Sequence, residues 1–172
     1  MNTNGIPEIQ EIAIYGSIRN SNPLDVKEIL GNKILDYRIK KIRCQLKKDE
    51  SISGIQIIYE NVNDGSLKAI IDYKSKEADI IEQEFELNNE NIKGMNVYLN
   101  FDVLLIGFEI VTDKERKFKF GYGNDEQLFK IIDFMEEEQV IVGFGIYTDG
   151  ENGVTAIYAQ YISKNNYDLL WH

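Results

Sequence analysis

A period of two recurs along almost the whole chain and limits what it can fold into. Short segments alternate apolar with polar residues, and turn-forming residues separate them. Because successive side chains of a strand point to opposite faces, this pattern makes half-buried strands and not helices. Ile9 to Tyr15, Ile39 to Leu46, Gly54 to Glu60, Lys68 to Tyr73 and Ile80 to Leu87 read as the first five strands. Met95 to Leu99, Val103 to Thr112, Lys117 to Gly121, Val140 to Tyr147 and Val154 to Ser163 read as the rest. Asp64-Gly65 in "NVNDGS" is a reversal signal, and "DKER" forms a hairpin tip. Strands at this spacing predict an all-β sandwich, barrel or prism.

With 172 residues and no Gly/Ser-rich linker, one domain spanning residues 1–172 is expected. Residues 1–7 read as a flexible tail, and residues 20–34 as an insertion between the first two strands. In that insertion Asn22 is placed to cap a helix, Pro23 to open it and Gly31 to stop it. A second stretch, "NDEQLFKIIDFMEEEQ", begins with the cap-like pair Asn124 and Gln127, yet Phe129 to Phe134 suits a strand equally well. Glu136-Glu137-Glu138 reads as a solvated turn, since adjacent carboxylates on an extended chain diverge.

Composition excludes several functions. The formal charge of -10 opposes nucleic-acid phosphates and anionic membranes as partners. Arg38 to Arg43 is basic, but its alternation marks the solvent face of a strand. The single cysteine, Cys44, has no intramolecular disulfide partner and sits at an apolar-type position. The single histidine is the terminal His172, which leaves Ser-His and Cys-His catalysis with little to draw on and rules out two-histidine metal sites. No carboxylate pair has a spacing that a mechanism demands, and no cofactor motif is present, so the chain reads as non-enzymatic. "DGEN" has oxygen ligands enough for calcium, although a turn explains it better. With no secretory or membrane-spanning pattern, an intracellular, cytoplasmic location is the default expectation.

From Leu35 onward the chain resembles the jacalin-like lectins. The resemblance rests on an ordered set of motifs: "RIKKIRCQLKKDESISGIQIIYENVNDGS" with Gly54-Ile55-Gln56 and Tyr59; "FELNNENIKGMNVYLN" with Leu87, Glu90, Ile92 and Gly94; "LLIGFEIVTDKERKFKFGYG" with Phe108, Ile110, Thr112, Phe120 and Gly121; and "VIVGFGIY". It implies a β-prism of three four-stranded antiparallel Greek-key sheets, here with one or two short helical insertions. It also implies carbohydrate binding without catalysis.

The family's sugar loop precedes the last strand and reads Gly-x-x-x-Asp, followed by a strand of Ala-Ile type. An ionised Asp there accepts hydrogen bonds from two sugar hydroxyls. In this chain "TAIYAQY" matches that last strand, which puts Thr155 at the Asp position and Glu151 at the Gly position. A literal match, Gly145 to Asp149, also occurs, but its Gly145 belongs with the preceding strand. The family's double-glycine stretch is reduced here to Gly16-Ser17. The candidate sugar contacts are Ser17, Arg19, Tyr122, Asn124, Asp125, Tyr147, Asp149, Glu151, Asn152 and Thr155. Partial burial at strand ends is the competing reading for the two tyrosines, and a simple reversal the competing one for "TDGENG".

The lost Asp and the altered glycine loop also fit an adaptor that uses the prism for protein contacts. For that reading the apolar tail Leu169, Leu170 and Trp171 supplies the candidate anchor. The partner is then a glycan or a protein, and oligomerisation remains open.

Overall fold

A computed structural model describes residues 7–11, 15–18, 22–48, 51–74, 76, 79–100, 105–123, 139–149 and 153–171. Along them run β1 (Gln10–Glu11), β2 (Tyr15–Gly16), β3 (Asn22–Asp25), α1 (Val26–Leu30), a 3-10 segment (Gly31–Asp36), β4 (Tyr37–Lys47), β5 (Ser51–Asn61), β6 (Leu67–Tyr73) and β7 (Ile80–Glu86). They continue as β8 (Ile92–Leu99), β9 (Leu105–Thr112), β10 (Lys117–Gly121), β11 (Gln139–Asp149), β12 (Gly153–Ser163) and α2 (Lys164–Trp171).

The strands form three antiparallel groups. β4 to β7 make a four-stranded sheet in the order β6-β5-β4-β7, three hairpin-linked strands with the fourth returning beside the first, which is a Greek key. β8, β9 and β10 form a meander. The third group is centred on the β11–β12 hairpin, with β1 and β2 along the free edge of β12 and β3 along that of β11. A single bridge, Ile141 opposite Ile92, joins it to the meander. This is the three-sided β-prism; the stretch from Asn124 to Gln139 lies mostly outside the described residues.

Alternation explains the core. Along β4 and β5, Ile42, Cys44, Ile55, Ile57 and Tyr59 are buried, and each such apolar side chain contributes roughly 1.5–3 kcal/mol when fully removed from water. Met95, Phe108, Phe120, Phe144 and Ile157 bring the other two groups into the same apolar cluster. Phe85, Phe118, Phe120 and Phe108 form a chain of ring contacts with centroids 4.7–4.9 Å apart, tying β7 to the meander. Cys44 is completely buried, and burial pushes its thiol pKa well up. The basic run of β4 does lie on the outer face, where Arg38 meets Glu60 at 2.7 Å and Lys41 meets Glu84 at 2.9 Å.

The insertion differs from the expectation set by its residues. Asn22 to Asp25 is a strand, and the helix begins at Val26 with Asp25 as its cap, its carboxylate accepting the Glu28 amide at 2.9 Å. Pro23 is accommodated because β3 is an edge strand. Gly31 does end the helix, at φ 57°. The apolar tail is also not a tail: Lys164 to Trp171 is α2, whose Asn166 amide is capped by the Ser163 hydroxyl at 3.3 Å. Pro7, expected in the flexible terminus, is buried.

Asp25 anchors the insertion to the prism. Its carboxylate accepts the Tyr158 phenol and, at 2.8 and 2.9 Å, the Gln160 amide. All three residues are buried, so these bonds are made where water does not compete. Gly145 is what admits the phenol: a Cβ there would overlap the Tyr158 ring. Burial and the Asp25 carboxylate push the Tyr158 pKa far up.

Candidate functional site

The β11–β12 hairpin determines where the sugar-loop candidates fall. Asp149 is paired with Gly153, so the strands run to the base of the turn; Glu151 and Asn152 lie outside the described residues. The literal Gly145-to-Asp149 match falls wholly within β11. Tyr147 and Asp149 are strand residues, half-buried at its end.

Tyr147 pairs with Ala156 and Thr148 with Val154, a bulge that leaves Thr155 as the extra residue. Thr155 is 1% exposed, and its hydroxyl donates to the Tyr147 carbonyl at 3.3 Å. The threonine braces the hairpin from inside. That placement does not favour its inclusion among surface contacts.

The glycine loop lies against the same strand. Ser17 donates its amide to the Thr155 carbonyl at 3.1 Å, and Gly16 pairs with Ala156. Gly16 has φ 116°, and a Cβ on it would lie 2.8 Å from the Ala156 Cα, so only glycine fits. On the other flank the Tyr73 phenol donates to the Asp149 carbonyl at 2.9 Å, fixing the end of β11 to β6. Burial, together with the nearby Asp149 charge, raises the Tyr73 pKa. Gly153 closes the hairpin against β5, where a Cβ would meet the Ile52 carbonyl at 2.7 Å.

Tyr122 is held separately. Gly121 donates its amide to Gln83 Oε1 at 2.8 Å, and Tyr122 donates its own to the Ile106 carbonyl at 2.8 Å. Gln83, Cys44, Ile55 and Tyr73 lie opposite one another across the β4–β7 sheet. Gly121 and Asp149 are therefore bonded to side chains at the two ends of one row, whose backbones lie roughly 14 Å apart across the sheet.

The structure thus brings Ser17, Tyr147, Asp149 and Thr155 together and sets Tyr122 across the β4–β7 sheet from them. Arg19, Asn124 and Asp125, and the side chains of Leu169, Leu170 and Trp171, lie outside the described residues. Tyr73 and Gln83, which set the positions of the two loops, gave no signal in the sequence beyond being strand residues. Among the described residues no three metal-ligating side chains converge, and no helix is long and apolar enough to cross a membrane.

No protein-family model and no curated protein matches the chain. Solved structures do. The mannose-binding lectin of champedak aligns over 90% of this chain and 96% of its own at 21% identity, with a TM-score of 0.63. A mannose-specific jacalin-related lectin from Morus nigra, solved with mannose, aligns over 94% and 99% at 18% identity, with a TM-score of 0.58. PirB aligns over 91% of this chain but only 39% of its own, at 18% identity and a TM-score of 0.63. The chain has the jacalin-related lectin fold.

Proposed function

We propose that this chain is a non-catalytic carbohydrate-binding module whose sugar site is the pole of the prism where the β11–β12 hairpin turns. The observation that carries the reading is the backbone clamp of Gly16-Ser17 on the outer edge of β12, with Asp149 at the end of β11 on the inner edge, so that the glycine loop and the acidic residue share one pole. An ionised carboxylate and backbone amides are the donors and acceptors that a sugar's vicinal hydroxyls require. Asp149, not Thr155, is the acceptor in this reading, with Ser17 across β12 from it. The mannose-binding neighbours of the same fold support the ligand class.

A glycan-array screen of the wild type beside Asp149→Ala tests this. Binding that is lost in the variant is the expected result; a folded wild type that binds no glycan refutes it. One observation favours the adaptor reading instead: Ile18, next to Ser17 at this pole, is 53% exposed. An apolar side chain in that position suits a protein partner, and Ile18→Asp would then abolish the contact.

A further inference from the structure

The other pole of the prism carries a cleft of about 630 Å³ where β4 begins, β5 ends and the β7–β8 connection passes. Gly153 sits against Ile52 and Ser53 at the start of β5, whereas the cleft is lined by Glu60 and Asn61 at its end. The two poles are therefore separated by roughly 25 Å of strand.

The lining has a definite chemical character. Arg38 is paired with Glu60 at 2.7 Å, so these charges offset one another. Lys40, which also lines the cleft, is paired with Glu86 at 3.7 Å, and Glu90 with Arg116. Beside these pairs stand amides and apolar groups: Asn61, Asn89 and Asn91 with Ile39, Val62 and Leu87. Asn89 is held at φ 51°, a backbone conformation uncommon for a side-chain-bearing residue.

Beneath the cleft lies a buried carboxylate. The Glu90 side chain is fully buried; its Oε1 accepts the Asn88 amide at 3.3 Å and pairs with Arg116, and the Thr112 hydroxyl donates to the same carboxylate. A cavity of about 20 Å³ bordered by Glu90, Asn91 and Tyr167 adjoins the cleft.

We infer that this cleft is a second binding site, taking neutral polyhydroxylated ligands of the hexose class at the pole opposite the hairpin. Offset charges disfavour a strongly ionic ligand; amides next to apolar surface match a sugar's hydroxyls and its C–H face. The volume falls in the range of small-molecule sites. The inference rests on the carbohydrate-binding reading for its ligand class but not for its location.

The test is an amide-resolved NMR titration with methyl α-D-mannopyranoside and methyl β-D-galactopyranoside. It compares wild type, Asn89→Gly, Val62→Trp and Asp149→Ala. Asn89→Gly removes the amide while easing the positive φ, and Val62, 38% exposed, tolerates a blocking tryptophan. The expected result is saturable shifts at the amides of Asn61, Asn89 and Asn91. Asn89→Gly should weaken them about fivefold, as for one neutral hydrogen bond; Val62→Trp should abolish them, and Asp149→Ala should leave them unchanged. Shifts confined to the hairpin pole and lost in Asp149→Ala would overturn the second site and leave the first. Shifts confined to the cleft would do the reverse, and none at either pole would overturn both.

Discussion

Replacing Asp25 with alanine should destabilise the chain by about 4 kcal/mol. Three losses combine. The helix cap on the Glu28 amide goes, at about 1 kcal/mol. The Tyr158 phenol and the Gln160 amide are left as buried donors without their acceptor, each at about 1–3 kcal/mol. For a domain of this size that corresponds to a fall in melting temperature of roughly 8–16 °C. Asp25→Asn keeps an oxygen for the cap and one donor, and should cost less than half as much. Urea unfolding followed by tryptophan and tyrosine fluorescence would measure both. If Asp25→Ala lowers stability by less than about 1 kcal/mol, the buried donors must have found other partners. The claim that this carboxylate fastens the insertion would then be wrong.

Gly145→Ala drives a methyl group into the Tyr158 ring and should cost about 1–3 kcal/mol, with Tyr158→Ala in the same background recovering part of it in a double-mutant cycle. Thr155→Val removes one buried donor and should cost about 1 kcal/mol by the same denaturation assay, leaving any glycan affinity unchanged. Glu90 supplies a pH dependence. Burial opposes its ionisation, but the Thr112 hydroxyl, the Asn88 amide and Arg116 hold its pKa below the ordinary value. Because the folded pKa is depressed, its stabilisation is present above about pH 4.5 and is lost as pH falls through the folded value. A Glu90→Gln variant should therefore lose less stability than wild type between neutral pH and pH 3; parallel curves would refute this.

The sheet interiors were legible because burial enforces alternation: Ile55, Ile57 and Tyr59 announce β5 by their period alone. β3 was not, since Asn22-Pro23 carries a helix-opening signal that the edge of β11 overrides. The correct start was nevertheless written in Asp25 and Glu28, a cap residue followed three positions later by glutamate. α2 was hidden because two asparagines favour neither helix nor strand, and only Ser163 marks its beginning. At the hairpin pole the candidates adjacent in sequence could be grouped from the sequence. The Tyr73 and Gln83 tethers could not, because bonds between residues far apart in sequence leave no local pattern. The cleft at the far pole was invisible for the same reason: β4, β5 and the β7–β8 connection contribute to it singly.

The pairing of β1 with β12, Gln10 opposite Tyr161, has a consequence for how the molecule is made. The β4–β7 Greek key and the β8–β10 meander consist of neighbours in sequence and can assemble while synthesis is still under way. The β12-centred sheet cannot, because its early strands wait for a partner that emerges only after β4 to β11. Pairings of such long range close slowly. The nascent chain therefore holds an open flank over the apolar core until β12 arrives, and the glycine clamp at the hairpin forms no earlier than that strand.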